Sequence, residues 1–303
     1  MKNLRVLLLA LSLGLTPALA LAAGWLPLVK SSGSGLMLDG ITAGIKACYS
    51  TRKILTAYAG SALTVTRLSD TTTQAIGFSS NVLDGAALSA FCSGTTCVVT
   101  TWNDQCGGGF NHSAPATANA PILYQTGAIN AINTKPALLG VGASSTSLTN
   151  GSLAANPVNT LWQSAVLSWT SGDSGITGST LTAGALEWRV DNAGTLSILK
   201  ASTASIGTSS SSLTTATGAI VEAQYNSTTG AFSFWVNRTA AGTGTSIQAL
   251  TAGTSQLMAG RGAGSESFTG SIGEIIEYDL VGGIPGTSQT SIENNQRAYW
   301  GTP

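Results

Sequence analysis

The sequence predicts an all-β protein, a two-sheet sandwich or jelly roll closed by a short C-terminal helix. Three observations carry this reading. Strand-length segments with alternating or β-branched character recur over some 200 residues. The spacers between them are rich in Gly, Ser, Thr and Asn, the residues of turns; Ser (37), Thr (40) and Gly (37) together fill 114 of the 303 positions. Charged residues make up only 9 %, yet 43 % of the chain is hydrophobic, enough to bury a core.

In chain order, Lys2 and Arg5 precede an apolar run from Val6 to Leu15, and Ala18-Leu19-Ala20 offers small residues at cleavage spacing. Residues 1–23 therefore read as a secretory signal peptide, and the product as secreted or periplasmic. No later stretch approaches the roughly 20 apolar residues of a membrane span. Without Lys2 and Arg5 the balance is 11 Lys+Arg against 13 Asp+Glu. Residues 24–46 read as an exposed lead-in, and 47–303 as one sandwich domain. Between Ala47 and Tyr58 the 3–4 spacing of Tyr49, Arg52, Leu55 and Tyr58 predicts a short helix or turn.

Strands are predicted at 62–68, 97–102, 161–169, 185–190, 195–200, 219–225, 231–237, 256–261 and 271–278. Asn226-Ser227-Thr228-Thr229-Gly230 is a hairpin signal, and 202–217 reads as loop plus edge strand. The closing helix takes Ser288 or Thr290 as its cap, carries Ile292, Gln296, Tyr299 and Trp300 on one stripe, and stops at Gly301.

Composition also excludes chemistry. A balanced charge with so few cations argues against nucleic acid as a partner. One histidine, His112, removes multi-His metal sites and leaves little for a Ser-His-Asp triad. No Asp-rich loop suggests Ca²⁺, so neither metal nor cofactor is expected. The four cysteines of an exported chain imply two disulfides, with three possible pairings. The four-residue spacer between Cys92 and Cys97 suits a tight loop, which leaves Cys48 for Cys106.

The segments ACYSTRKILTAYAGSALTVTRLSDTTTQAIGF, LDGAALSAFCSGTTCVVTTWNDQCGGGFNH and APILY resemble the front of the α-L-arabinofuranosidase B catalytic domain, a concanavalin-like β-sandwich. FTGSIGEIIEYDL and IENNQRAYWG resemble its final strand and helix. Similar segments occur in concanavalin-like (laminin-G-type) domains without assigned chemistry. The resemblance supports the Cys92–Cys97 pairing. Cys48 and Cys106 depart from the family pattern together, as two residues bonded to each other would.

By resemblance, the activity is retaining hydrolysis of arabinose-containing polysaccharide, for which two carboxyls about 5 Å apart suffice. Seven Asp and six Glu remain after residue 23. The family's nucleophile lies in a Gly-x-x-Glu context, matched by Gly184-Ala185-Leu186-Glu187, with Trp188 beside it as a sugar platform. The family's acid/base aspartate is absent from Gly260-Arg261-Gly262-Ala263-Gly264-Ser265-Glu266, where Glu266 is the nearest substitute. Asp104, in a Gly-rich loop, is a candidate substrate contact or a turn residue. The alternative function is a non-catalytic sandwich that binds glycans or serves in adhesion. A carboxyl pair about 5 Å apart in a concave face with a tryptophan beside it favours hydrolysis, and isolated carboxyls favour binding.

Overall fold

The computed structural model describes residues 35–142, 145–180, 183–201, 204–261 and 266–303. The segment expected to be a signal peptide lies outside them. Among the described residues no helix is long and apolar enough to cross a membrane.

The strands form one large antiparallel network that folds over itself into two facing layers. At the centre of the first layer, Thr160–Trp169 is hydrogen-bonded between Gly218–Asn226 and Gly270–Leu280. Ala231–Val236 extends it on one side and Ile45–Ser50 on the other. In the second layer Ser174–Ser179 lies between Leu186–Val190 and Thr254–Leu257, and Thr195–Lys200 and Ala204–Ser212 follow outward. Alternation builds the core between the layers. Leu161, Ala165, Val221, Tyr225 and Ile275 point inward from the first layer, and Ile176, Trp188, Val190, Leu196 and Ile198 from the second.

The fold is the predicted sandwich, and Cys97–Trp102 and Thr195–Lys200 form with the expected boundaries. Asn226–Gly230 turns between paired strands, with the Asn226 side chain accepting from the Thr228 and Thr229 amides. Gly301, at φ 63°, ends the closing helix. That helix runs Gly286–Trp300, so it begins before Ser288 and Thr290, and Pro285 fixes its entry without a side-chain cap.

Four expectations change. Residues 47–58 form no helix: Ile45–Ser50 is a strand paired along Gly270–Leu280, and that cross-strand pairing outweighs a local 3–4 spacing, while Leu55–Tyr58 makes the turn that is the other expectation. The described part of the lead-in is not wholly exposed, because Met37 and Leu38 are buried against Ile54, Trp162 and Tyr278. An additional helix, Gly85–Phe91, starts where Asp84 accepts from the Ala87 amide at 2.9 Å. Finally, the strand expected over 256–261 ends at Leu257, since Met258 takes a left-handed φ of 59°.

Both disulfides pair as the spacing suggested, Cys48 with Cys106 and Cys92 with Cys97. Their sequence separations are 58 and 5 residues. Loop-closure entropy grows with the logarithm of that length, so the long bridge stabilises by about 2 kcal/mol more than the short one. Replacing each pair by serines and measuring urea midpoints checks this: the Cys48/Cys106 variant is expected to lose more stability. Equal losses would contradict the ordering.

Candidate active site

The site begins with one alternating strand. In Leu186–Val190, Leu186, Trp188 and Val190 enter the core, which puts Glu187 and Arg189 together on the opposite face. Glu187 is 1 % exposed there because a second segment covers it. That segment follows Leu257, where the left-handed Met258 turns the chain back along Ser174–Ser179. Backbone hydrogen bonds hold it down: Met258 donates to the Ile176 carbonyl, Ser179 to that of Gly260, and Gly175 to that of Glu266, at 2.9, 3.0 and 2.7 Å. The Gln256 amide group adds donors to the Ser179 and Gly260 carbonyls, both at 3.0 Å.

Glycines permit this approach. A Cβ at Gly175 or Gly178 would collide with the backbone of Gly260. At Gly260 itself a Cβ would overlap Glu187 Oε1 and lie 2.8 Å from Glu266 Oε2. The two carboxyls therefore meet across a position that only glycine can occupy. Glu266 is itself left-handed, at φ 52°, a conformation costly for a residue with a side chain.

Two guanidiniums frame the pair. Arg189 Nη1 lies 3.0 Å from Glu266 Oε1, 3.7 Å from Glu187 Oε1 and 3.6 Å from Asp173 Oδ2. Arg261 Nη2 lies 3.0 Å from the same Glu266 oxygen. Glu187 Oε1 and Glu266 Oε2 are buried and find no N–H or hydroxyl donor among the described residues. A single proton shared between the carboxyls satisfies both atoms.

The electrostatics place that proton. Burial, then the hydrogen bond and charge of Glu266, push Glu187 up to about 9. Burial also raises Glu266, but the hydrogen bond from Glu187 and the charges of Arg189 and Arg261 more than offset it, leaving Glu266 below the usual carboxyl range. At neutral pH Glu187 is protonated and Glu266 is the anion. Chemically this is an acid next to a carboxylate, within hydrogen-bond reach and open toward Asp173 and Arg261.

The structure brings together Glu187 and Glu266 but not the other two candidates. Trp188 is 1 % exposed and packed in the core, because strand alternation turns it away from Glu187; it cannot serve as a sugar platform. Asp104 is a turn residue. Its Oδ1 accepts from the amides of Cys48 and Cys106 at 3.0 and 2.9 Å, which buries the carboxylate under the disulfide it braces. Cys48, Asp104 and Cys106 are mutually close, but both sulfurs are spent in the S–S bond and cannot ligate a metal. His112 is buried between the Phe110 carbonyl and Ser255 Oγ, and burial lowers it to about 3, so it stays neutral.

Sequence reasoning missed Arg189, Arg261 and Asp173. The first had a usable signal, since a residue two from Glu187 on a strand shares its face.

Residues 36–147 match the family model described as α-L-arabinofuranosidase B, catalytic. An α-L-arabinofuranosidase of Hypocrea jecorina is 40 % identical over 106 residues, 34 % of this chain and 21 % of that protein. An arabinofuranosidase/β-xylosidase of Trichoderma koningii is 40 % identical over 102 residues, 32 % and 20 % of the two chains. The chain thus matches about a fifth of the length of these relatives. In three dimensions it is similar to an arabinofuranosidase complexed with arabinofuranosyl-α-1,2-xylobiose, at TM-score 0.64 and 17 % identity, over 86 % of this chain and 64 % of the other. A GH54 α-L-arabinofuranosidase soaked with a cyclic sulfate inhibitor gives TM-score 0.66 over the same shares, again at 17 % identity. The fold is therefore the β-sandwich of these enzymes. Glu187 and Glu266 lie beyond the residues matched by the family model.

A raised carboxyl makes stability depend on pH. Folded Glu187 holds its proton up to about 9, whereas the unfolded residue releases it near 4.5. The folded state thus binds more protons between these values, and stability falls as pH rises through that window, by at most about 1.4 kcal/mol per pH unit. Glu222, also pushed up by burial and by Glu293, contributes a decline common to parent and variant. Urea midpoints from pH 5 to pH 9 are expected to fall less steeply for Glu187→Gln than for the parent. Parallel curves would show that Glu187 is not held protonated.

Proposed function

We propose that the protein is an exported retaining glycoside hydrolase that releases α-L-arabinofuranosyl groups from arabinose-containing polysaccharide. The observation that carries this reading is the Glu187–Glu266 pair: two carboxyls brought together over Gly260 beside two arginines. Retaining hydrolysis needs one ionised and one protonated carboxyl ~5 Å apart, wider than this hydrogen-bonded pair at rest. The family match of residues 36–147 and the shared sandwich support the substrate class.

Glu187, fixed in a strand hydrogen-bonded on both sides, is the nucleophile. Its oxygen bonds to the anomeric carbon as the glycosidic C–O bond breaks, and Glu266 gives a proton to the departing oxygen. Water then attacks the glycosyl ester, Glu266 takes its proton, and Glu187 leaves as carboxylate. The resting proton lies on Glu187, so it must pass to Glu266 before attack, along the hydrogen bond that already joins them. A sugar entering between the carboxyls must part them. Because the strand fixes Glu187, that movement falls to Glu266 and the arginines holding it.

Release of arabinose from 4-nitrophenyl α-L-arabinofuranoside and from arabinan tests the assignment. Glu187→Gln is expected to reduce kcat by about a thousandfold or more on both. Glu266→Gln is expected to cost about 10²–10⁴-fold on arabinan, and much less on the nitrophenyl substrate, whose leaving group needs no proton. Activity unaffected by Glu187→Gln removes the nucleophile. A parent protein that binds arabinan without cleaving it returns the molecule to the glycan-binding class.

A further inference from the structure

We propose a second, non-catalytic saccharide-binding site around Tyr58 and Phe78; it rests on the polysaccharide reading above. A surface cavity of about 420 Å³ is lined by Lys53, Tyr58, Ser61, Gly77, Phe78 and Asn81, sharing no residue with the carboxyl pair. Its size falls within the ~300–1,000 Å³ of small-molecule sites. The Tyr58 and Phe78 rings meet edge to face, with centroids 6.3 Å apart at 78°, and both, half-buried, line the hollow with Lys53, Ser61 and Asn81. No carboxylate lines the hollow among the described residues. Aromatic surface for the C–H faces of a sugar, with donors and acceptors for its hydroxyls, suits a polysaccharide segment; the absence of carboxylates disfavours a cation.

The walls are rigid, as a binding surface that minimises ordering cost should be. Phe78 opens a hairpin in which Ser79 pairs with Val82 across Ser80 and Asn81. Both turn residues are left-handed, at φ 50° and 65°, as a two-residue primed turn requires. The Asn81 carbonyl accepts from the Lys53 amide at 2.9 Å, pinning the hairpin to the neighbouring segment. That segment is fastened in turn by buried Gln105, whose side chain accepts from Ile54 and donates to the Ser50 and Arg52 carbonyls. Asp39 accepts from the Thr56 amide and hydroxyl, and the Tyr58 hydroxyl donates to the Ser61 carbonyl at 2.7 Å. The Cys48–Cys106 bridge closes the opposite side, where a second hollow of about 310 Å³ runs from Tyr58 to Cys106 and Gly107. Tyr58 thus stands between two depressions that a chain of sugars could span.

Two substitutions test the site from opposite directions. Tyr58→Ala removes the platform. Gly77→Gln fills the hollow without strain, because Gly77 is not left-handed and a Cβ there meets nothing within 4 Å. Each is combined with Glu187→Gln so that the polymer is not consumed, and retention on insoluble arabinoxylan, arabinan and cellulose is measured, with urea midpoints as the folding control. Both double variants are expected to bind arabinoxylan or arabinan about tenfold more weakly than Glu187→Gln alone. Unchanged binding by a folded Gly77→Gln double variant overturns the proposal, as does selective retention on cellulose. Either result leaves the catalytic reading untouched, since that depends on arabinose release.

Discussion

The contact between Glu187 and Glu266 depends on three side chains that are not there. Gly175 and Gly178 let the segment after Met258 lie directly on the strand backbone, and Gly260 leaves room for both carboxyls above it. With a β-carbon at any of the three, the segment would lift and Glu266 would move away from Glu187. The left-handed turns at Met258 and Glu266 belong to the same device. The local backbone is unfavourable for residues with side chains, and the hydrogen bonds to Ile176, Ser179 and Gly175 hold it in place.

Other buried glutamates show why this pair is different. Glu274 is met by the Arg52 guanidinium, the Ser50 hydroxyl and the Gln296 amide, so its charge is fully answered. Glu277 has Lys46 and Gln163. Glu222 shares a site with Glu293, but the closing helix covers it and Gln289 bridges the two carboxyls. Glu187 has a partner carboxyl held by two arginines, where Glu293 has Arg238 alone among the described residues, and its surroundings open toward Asp173 and Arg261. Burial raises its proton affinity, and partial opening offers a way in for substrate.

Much of the architecture was legible in the sequence because strand alternation and turn residues are local signals. Thr195–Lys200 and the Asn226–Gly230 hairpin needed no tertiary information. Ile45–Ser50 did, since its strand form is imposed by pairing with Gly270–Leu280, 228 residues away at Cys48↔Ile276. Met37 and Leu38 are likewise buried by contacts the local sequence does not announce. At the site, Glu187 and Glu266 were visible as carboxyls in a suggestive context. Their contact was not, because it arises from a chain reversal at Met258, a residue with no turn signature. Trp188 failed for a readable reason: adjacent residues on a strand face opposite ways, so it could not share a surface with Glu187.

The shared proton joins fold to chemistry in this account, and infrared spectroscopy can observe it directly. A difference spectrum between the parent and Glu187→Gln, recorded at pH 7, reports whether a protonated carboxyl is lost; subtraction removes the contribution of Glu222. The protonated-carboxyl C=O band is expected in the parent and lost in the variant, and it is expected to titrate near pH 9. A difference spectrum showing only carboxylate bands would mean that both carboxyls are ionised at rest, contradicting the one-proton pair.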